Sequence, residues 1–295
     1  MSTPSSTISK TAFLKYDQCK KAFFLYKKHP YLRDPVSKEK QFTFNRGHQV
    51  GYLAQQLFPG GIDVSEKAKN SKAAFELTQQ LLKESIKTIY EATFIFNGVL
   101  VMVDILHFDG VHWMAYEVKS SLKISEAYVK DACLQYYVLK NSLADFNDLF
   151  LVTLNANYVF ENELDLKQLF KKRSIKISAE ENIDFFSRTV EQMSLVLEQN
   201  VIPDISIGKH CFSPYDCDYL GTCWKNTQTP KSIFKIGKSD RDQLFALYFS
   251  GADTVDKIDF DTDLKPNIKI QANCINTGEP YIQKEEIKKF CEKIR

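Results

Sequence analysis

Apolar and polar residues alternate in three consecutive runs near the middle of the chain, as they do in half-buried β-strands. The runs are Thr88–Phe96, Val99–Phe108 and His112–Lys119. They are rich in Val, Ile, Leu and aromatic residues, which favour strands. The dipeptides Asn97-Gly98 and Asp109-Gly110 separate them, and both are typical of hairpin turns. The pattern therefore predicts three neighbouring strands joined by two hairpins.

Helical spacing of apolar residues predicts helices on both sides of these strands. The predicted helices are Ser9–Lys28, Arg46–Leu57, Ser71–Ile86, Ser125–Lys140 and Glu181–Gln199. The apolar run Asp148–Leu154 predicts one further, buried strand. The central order is α-β-β-β-α-β, so we expect an α/β fold with a mixed central sheet flanked by helices.

Length and composition allow one large domain or two small ones, since 295 residues with 44% apolar content can bury a sizeable core. We predict a main domain over residues 1–230 and a small helical tail over residues 231–295. The net charge of +2 indicates no strongly basic surface. A local run such as Lys171-Lys172-Arg173 either lines a groove for nucleic acid or forms a solvated face.

The chain shows neither an apolar segment of the kind found in signal peptides near its N-terminus nor an apolar run long enough for a bilayer. We therefore predict a cytoplasmic protein. Disulfides are disfavoured in that compartment, so clustered cysteines there are more often metal ligands.

Two acids and a lysine stand on the predicted strands in a pattern that suggests chemistry. Asp104 lies in the sequence VMVDIL, and Glu117 and Lys119 lie in YEVK on the next strand. A buried carboxylate is costly unless it is paired or binds a cation. Two carboxylates and a lysine meeting at the edge of a sheet suit a magnesium-dependent phosphodiester hydrolase, in which the acids hold the ion and the lysine stabilises negative charge.

Three of the seven cysteines are evenly spaced in CFSPYDCDYLGTCW, with five residues between each pair. They are Cys211, Cys217 and Cys223, and Cys19 is the natural fourth ligand. Zinc and a 4Fe-4S iron–sulfur cluster both accept four thiolates. The chain has no CxxC pair of the kind usual in zinc sites, which favours the cluster. Zinc stays open as the lesser possibility, because His210 is able to replace one thiolate.

These residues together resemble the PD-(D/E)xK nuclease superfamily, in particular its RecB-like branch with an iron–sulfur cluster. The chain is similar there to CRISPR-associated exonucleases that trim spacer precursors, to AddB-type nuclease domains and to a bacterial subgroup, in which one cysteine precedes the nuclease core and three follow it. The resemblance spans roughly Lys10 to Lys225 and rests on Cys19, Gly47-His48, Asp104, Glu117-Val118-Lys119, Gln135-Tyr136 and the Cys211–Cys217–Cys223 triplet.

The resemblance implies a restriction-endonuclease-like core and a role for each matching residue. Asp104, Glu117 and the carbonyl of Val118 would bind Mg²⁺ or Mn²⁺, and His48 would complete that site. Lys119 would position or activate the attacking water. Gln135 matches the glutamine of a QxxxY motif and would contact DNA or the lysine.

The chain departs from that motif at one position, because Leu139 stands where the motif has tyrosine and two tyrosines directly follow Gln135. Glu91, in the first predicted strand, is either a further site residue or simply exposed. The four cysteines would bind an iron–sulfur cluster that joins the two ends of the domain.

The sequence thus predicts a metal-dependent deoxyribonuclease, acting as an exonuclease or on single-stranded ends, in DNA repair, recombination, or phage or CRISPR-type defence. Its partners would be DNA, as single strands or duplex ends, and a helicase or another repair or defence protein. The alternative is a nucleic-acid-binding or adaptor module that keeps the fold and the cluster without catalysis.

Overall fold

The computed structural model describes residues 7–237 and 241–294 and divides them into two compact units. The first unit comprises the described residues up to Tyr31 together with Pro35–Asp204. The second comprises Leu32–Asp34 and the described residues from Ile205 onward. The predicted boundary after residue 230 therefore falls inside the second unit. Within the described ranges, no helix combines the length and the apolar character needed to cross a bilayer.

A seven-stranded mixed sheet forms the centre of the first unit. Its strands are β1 (Ile8–Ser9), β2 (Ile62–Asp63), β3 (Thr88–Phe96), β4 (Val99–Phe108), β5 (Trp113–Lys119), β6 (Phe146–Leu154) and β7 (Phe170–Ser174). The order across the sheet is β2-β3-β4-β5-β6-β7, and β1 pairs with β4. Strands β3, β4 and β5 form the two predicted hairpins, whereas β5 and β6 run parallel.

Nine α-helices belong to the described part of the first unit. They are α1 (Lys10–Gln18), α2 (Lys20–Lys28), α3 (Lys38–Gln55), α4 (Val64–Lys67), α5 (Ser71–Lys83), α6 (Glu126–Ser142), α7 (Leu166–Leu169), α8 (Lys176–Glu181) and α9 (Ile183–Glu198). The segment α5-β3-β4-β5-α6-β6 has the predicted order of elements. The predicted α/β class, with a mixed sheet flanked by helices, is therefore confirmed.

The helices cover both faces of the sheet. Phe13 of α1, Leu134 of α6 and Phe186 of α9 belong to one buried core against the sheet. Val50 and Ala54 of α3 pack in a second core on strand residues of the opposite face. Burial on both sides explains why the central strands carry nearly continuous apolar runs.

The single helix predicted over Ser9–Lys28 is wrong, since the chain breaks at Cys19 into α1 and α2. Cys19 is extended, with φ −165° and ψ 117°. Its N–H still donates to the carbonyl of Lys15 at 2.8 Å, and its carbonyl accepts from Phe23 at 3.0 Å. Because the break leaves both bonds intact and both Phe13 and Phe23 fully buried, it costs little.

The second unit is built from short helices around two small cores. Its α-helices are α10 (Leu220–Cys223), α11 (Arg241–Phe249), α12 (Pro266–Thr277) and α13 (Lys284–Lys293), and 3₁₀ turns lie at Lys209–Cys211, Lys225–Thr227, Ile233–Lys235 and Val255–Lys257. Trp224 packs on Phe212, Phe234 and Phe245 at centroid distances of 5.2, 4.7 and 5.9 Å. This aromatic cluster joins the cysteine segment to the C-terminal helices, which is why no boundary falls at residue 230.

Candidate functional site

The predicted site lies where two strands share one edge of β4. Strand β3 pairs with β4 from Val99 to His107 and so fills the opposite edge. On the shared edge, β1 pairs with Val99 and Leu100, whereas β5 pairs only from Ile105 onward. Among the described residues, no strand pairs with the stretch of β4 between these two ladders on that side. Backbone and side-chain groups there are available for other bonds.

Asp104 occupies this gap. The ladder between β4 and β5 ends at the pair Ile105–Tyr116, and beyond it the carboxylate Oδ2 of Asp104 accepts the N–H of Val118 at 2.6 Å. The side chain thus replaces a backbone acceptor in the ladder. This bond fixes Asp104 beside the strand that carries Glu117 and Lys119, as the sequence predicts.

Glu117 is almost fully enclosed, at 2% exposure, and two lysines neutralise it. Lys119 donates to its Oε1 at 2.7 Å. Lys10, the first residue of α1, donates to Oε1 at 3.1 Å and to Oε2 at 3.2 Å. A carboxylate this deeply buried is tolerated because it is doubly ion-paired.

Helix α6 contributes two further polar side chains. Asp131 accepts a hydrogen bond from Lys119 through Oδ2 at 2.6 Å, and its Oδ1 has no hydrogen-bond partner in the described part of the chain. Gln135, one turn later, is fully buried, and neither of its amide atoms forms a hydrogen bond with a residue that the structure describes. The Gln135 amide nevertheless lies near Glu117 and, after the charges of Lys10 and Lys119, helps to lower the pKa of this carboxylate. Full burial leaves Gln135 no contact with DNA, one of its two predicted roles.

Glu91 lies directly across the β3–β4 ladder from Asp104. The neighbouring pairs are Tyr90–Ile105 and Ala92–Val103, so the register places Glu91 and Asp104 opposite each other. Glu91 has φ +53°, in the left-handed region that a non-glycine residue rarely adopts. Like charges directly opposite in a sheet are destabilising. The pairing of two acids and the left-handed backbone of Glu91 therefore both indicate a locally unfavourable arrangement.

These acids border one open cleft of about 630 Å³. Glu91, Asp104 and Glu117 line one part of it, and helix α3 forms the facing wall with His48 and Tyr52 among its residues. His48 is exposed and lies on the same cleft as the two predicted acids. The structure therefore brings together Asp104, Glu117 and Lys119, with His48 across the cleft.

Burial and charge shift the acids in opposite directions. Burial raises the pKa of Asp104 to about 8, and the charge of Glu117 adds to this shift. Burial also raises the pKa of Glu91 to about 6. Burial alone would raise the pKa of Glu117, but the charges of Lys10 and Lys119 hold it well below its ordinary value. Asp104 therefore retains a proton near neutral pH unless a cation offsets the charge of Glu117.

The donor atoms at this cleft fit a magnesium- or manganese-type ion. Such ions prefer oxygen ligands, and Mg²⁺ commonly takes only one or two carboxylates and completes its shell with water and substrate phosphate. Asp104 and Glu117 supply carboxylate oxygen, and Val118 lines the same cleft. In the described ranges, no group of three or more His, Cys, Asp or Glu side chains is arranged to hold a metal ion. His48 therefore does not form such a group with the two acids, and its role as a ligand stays a prediction.

The predicted cysteine ligands fall in different units. Cys19 lies in the first unit, at the break between α1 and α2, and Cys211, Cys217 and Cys223 lie in the second. The Cys217 N–H donates to the Cys211 carbonyl at 2.8 Å, which closes the loop between these two residues. The imidazole Nε2 of His210 is 3.7 Å from the sulfur of Cys211.

Short segments of the second unit hold this cysteine loop in place. The carboxylate of Asp34 accepts the N–H of Gly221 at 3.1 and 3.0 Å, and Arg33 pairs with Asp218 at 3.0 Å. Thiolates suit zinc or an iron–sulfur cluster. Among the described residues, no three cysteines are arranged to hold a metal ion, so the four-cysteine centre stays a prediction.

Two residues of the site escape the sequence pattern. Asp131 stands four residues before Gln135 and so shares its helix face, and that spacing is the signal for it. Lys10 has no comparable signal. It is far from Glu117 in the chain, and only the pairing of β1 with β4 brings it to the acids.

Comparison of the chain with protein-family models and with curated proteins gives no match to either. No relative therefore supplies a role for any of these residues.

Proposed function

We propose that the chain is a metal-dependent deoxyribonuclease of the PD-(D/E)xK type with a restriction-endonuclease-like core. It would hydrolyse phosphodiester bonds as an exonuclease or at single-stranded ends. One observation carries this proposal. Asp104 and Glu117 face an open cleft, and Lys119 is held beside them at 2.7 Å from Glu117 and 2.6 Å from Asp131.

The carboxylates of Asp104 and Glu117, with the Val118 carbonyl, would hold Mg²⁺ or Mn²⁺. A divalent ion bound there supplies Lewis-acid polarisation of a phosphoryl oxygen and lowers the pKa of a bound water. A positive charge bound there would also offset the burial and the Glu117 charge that together raise the pKa of Asp104. Both acids then present charged oxygen atoms to the cleft.

Lys119 would act as a charged hydrogen-bond donor. Burial alone would lower the pKa of the Lys119 ammonium, but the charges of Glu117 and Asp131 outweigh burial and raise it. The ammonium therefore keeps its proton, so Lys119 cannot act as a base that takes a proton from water. It would position the attacking water, or stabilise the negative charge that develops on the phosphate.

The basic residues at one edge of the sheet are consistent with a polyanionic substrate such as DNA. Strand β7 exposes Lys171, Lys172 and Arg173. Lys171 is in register with Thr153 of β6, which is in register with Lys119. Adjacent strands lie about 4.8 Å apart, so the backbone of Lys171, two strands away, lies roughly 10 Å from that of Lys119. A nucleic-acid backbone that enters the cleft would meet these positive charges.

The same proposal includes a 4Fe-4S cluster, or zinc as the lesser candidate, bound by Cys19, Cys211, Cys217 and Cys223. Its role would be structural. DNA ends and single strands are the proposed partners, together with a helicase or another repair or defence protein.

The test is cleavage of labelled oligonucleotides by the full chain with Mg²⁺ or Mn²⁺. Single-stranded and duplex DNA, each labelled at one end, would separate exonucleolytic from internal cleavage. Lys119→Ala should reduce turnover by about 100-fold or more, because it removes a donor aimed at developing charge. The matched control is Lys123→Ala, an exposed lysine of the same segment, which should cleave like the wild type.

Equal cleavage by folded Lys119→Ala and wild type would contradict the proposal. Binding of DNA by the wild type with no cleavage in either metal would instead support a non-catalytic nucleic-acid-binding or adaptor module.

A further inference from the structure

Lys10 reaches the acidic site from a distant part of the chain. Strand β1 places it beside the unpaired stretch of β4, where its ammonium donates to the Met102 carbonyl at 3.1 Å. The same ammonium contacts both oxygens of Glu117, at 3.1 and 3.2 Å. Its side chain is 23% exposed, so it keeps partial access to solvent.

This ammonium compensates an excess of negative charge. The charges of Glu117, Asp131, Asp104 and Glu91 all interact with Lys10. Lys119 is the other ammonium among these groups. Four carboxyl groups thus face two ammonium groups, and the six carry a formal charge of −2 when all are ionised. Burying such a set is costly without a further cation or bound protons.

The two lysines differ in how firmly they are held. Lys119 is fixed by both Glu117 and Asp131 and lies 5.3 Å from the ring centroid of Tyr128. Apart from Glu117, the one hydrogen-bond partner of Lys10 in the described ranges is the Met102 carbonyl. A cation that approached Glu117 from the cleft would therefore displace Lys10 more easily than Lys119.

We propose that Lys10 is a resident counter-ion that competes with a divalent cation for Glu117 and thereby sets the metal affinity of the site. This inference rests on the proposed function, because it takes Glu117 as a metal ligand. A carboxylate has about four lone-pair positions, and the two lysines take three of those on Glu117. When the ion binds, the ammonium would leave the carboxylate and turn toward solvent, to which its side chain already has partial access.

The experiment measures Mn²⁺ binding to the full chain by calorimetry or by the loss of the free-ion EPR signal, without substrate. Lys10→Gln keeps a hydrogen-bond donor for the Met102 carbonyl but removes the charge. Loss of one positive charge a few ångströms from the ion should tighten Mn²⁺ binding by about tenfold or more. Lys10→Met should act in the same direction, whereas Lys10→Arg, which keeps the charge, should bind Mn²⁺ like the wild type. Lys130→Gln is the matched control, since Lys130 pairs with Asp17 at 3.0 Å and does not touch Glu117.

Weaker or unchanged Mn²⁺ binding by folded Lys10→Gln would overturn the inference and leave the proposed nuclease intact. If neither the wild type nor Lys10→Gln binds Mn²⁺, both proposals fail. If Lys10→Gln binds Mn²⁺ and the wild type does not, Lys10 competes strongly enough with the ion for Glu117 to prevent binding. If Lys10→Met does not fold, Lys10→Gln and Lys10→Arg still decide the matter, because they differ from each other mainly in charge.

Discussion

The acid–lysine site of the first unit and the cysteine loop of the second differ in how their residues are brought together. Asp104, Glu117 and Lys119 come from one hairpin, whose register fixes where each side chain lies. The four cysteines come from both units, and the loop with three of them is shaped by a turn, a short helix and contacts to Leu32–Asp34. Chemistry placed on paired strands is thus specified locally. Chemistry spread over distant loops depends on how whole segments pack.

The largest effect that would sharpen this contrast is expected at the cysteines. If Cys217 is a metal ligand, Cys217→Ala should remove the bound metal and destabilise the protein by at least about 3 kcal/mol, since metal-binding energy is folding energy in such sites. The measurement is iron, sulfide and zinc content together with chemical denaturation under anaerobic conditions.

Cys291→Ala serves as the control, because Cys291 is exposed on α13 and lies outside the triplet. If the wild type contains neither iron nor zinc and Cys217→Ala is equally stable, the loop is held by protein contacts alone and the metal-centre prediction is wrong. Zinc in place of iron would select the lesser candidate.

An intermediate effect is expected at Asp131, which orients Lys119 from the neighbouring helix. Asp131→Asn should lower kcat by about tenfold with little change in KM, because the lysine loses a charged partner while substrate contacts stay. The Asp131 charge also raises the pKa of Lys119, so the alkaline limb of the rate profile should move to lower pH.

Glu126→Gln is the control on the same helix, where Glu126 is exposed and paired with Lys130. If the pH–rate profile of Asp131→Asn matches that of the wild type in height and in its alkaline limb, Asp131 does not position Lys119 for the reaction.

The smallest effect concerns the pH dependence of stability at Asp104. Its pKa is raised to about 8 in the folded protein, so the folded state holds a proton that the unfolded state has released. The resulting stability is complete at acidic pH and is lost as the pH rises toward about 8. With a metal chelator present, the wild type should lose unfolding free energy between about pH 6 and pH 8. Asp104→Asn should lose about 1–2 kcal/mol less over the same range.

Urea denaturation across that range measures the effect. Asp109→Asn on the same hairpin is the control, since hydrogen bonds from His112 and Val111 lower the pKa of Asp109 and keep its titration outside this window. A slope for Asp104→Asn equal to that of the wild type would show that the carboxyl ionises normally.

The central strands, the turns and the meeting of Asp104 with Glu117 and Lys119 are predictable because each follows from local pattern. Asn97 and Gly98, for example, adopt φ +46° and +73°, as a two-residue hairpin requires. The start of α3 at Lys38 was missed because its first turns are exposed and carry no apolar stripe. Strand β7 was missed as well, since it is short and mostly charged.

What sequence pattern does not reveal is the set of long-range contacts. Strand β1 has only two residues, too few for any periodicity, yet its pairing with β4 delivers Lys10 to Glu117. The break at Cys19 has no glycine or proline to mark it. Glu91 belongs to a regular-looking strand, and only the register shows that it opposes Asp104.

The shared edge of β4 has a consequence for synthesis and for handling of the protein. Residues 8–10 leave the ribosome early, but their partner strand and Glu117 follow roughly a hundred residues later. Until then the first helix has no sheet to dock on, and the cluster of Lys10, Glu117 and Lys119 stays incomplete. For the same reason, an affinity tag fused just before residue 8 would lie beside the pairing of β1 with β4.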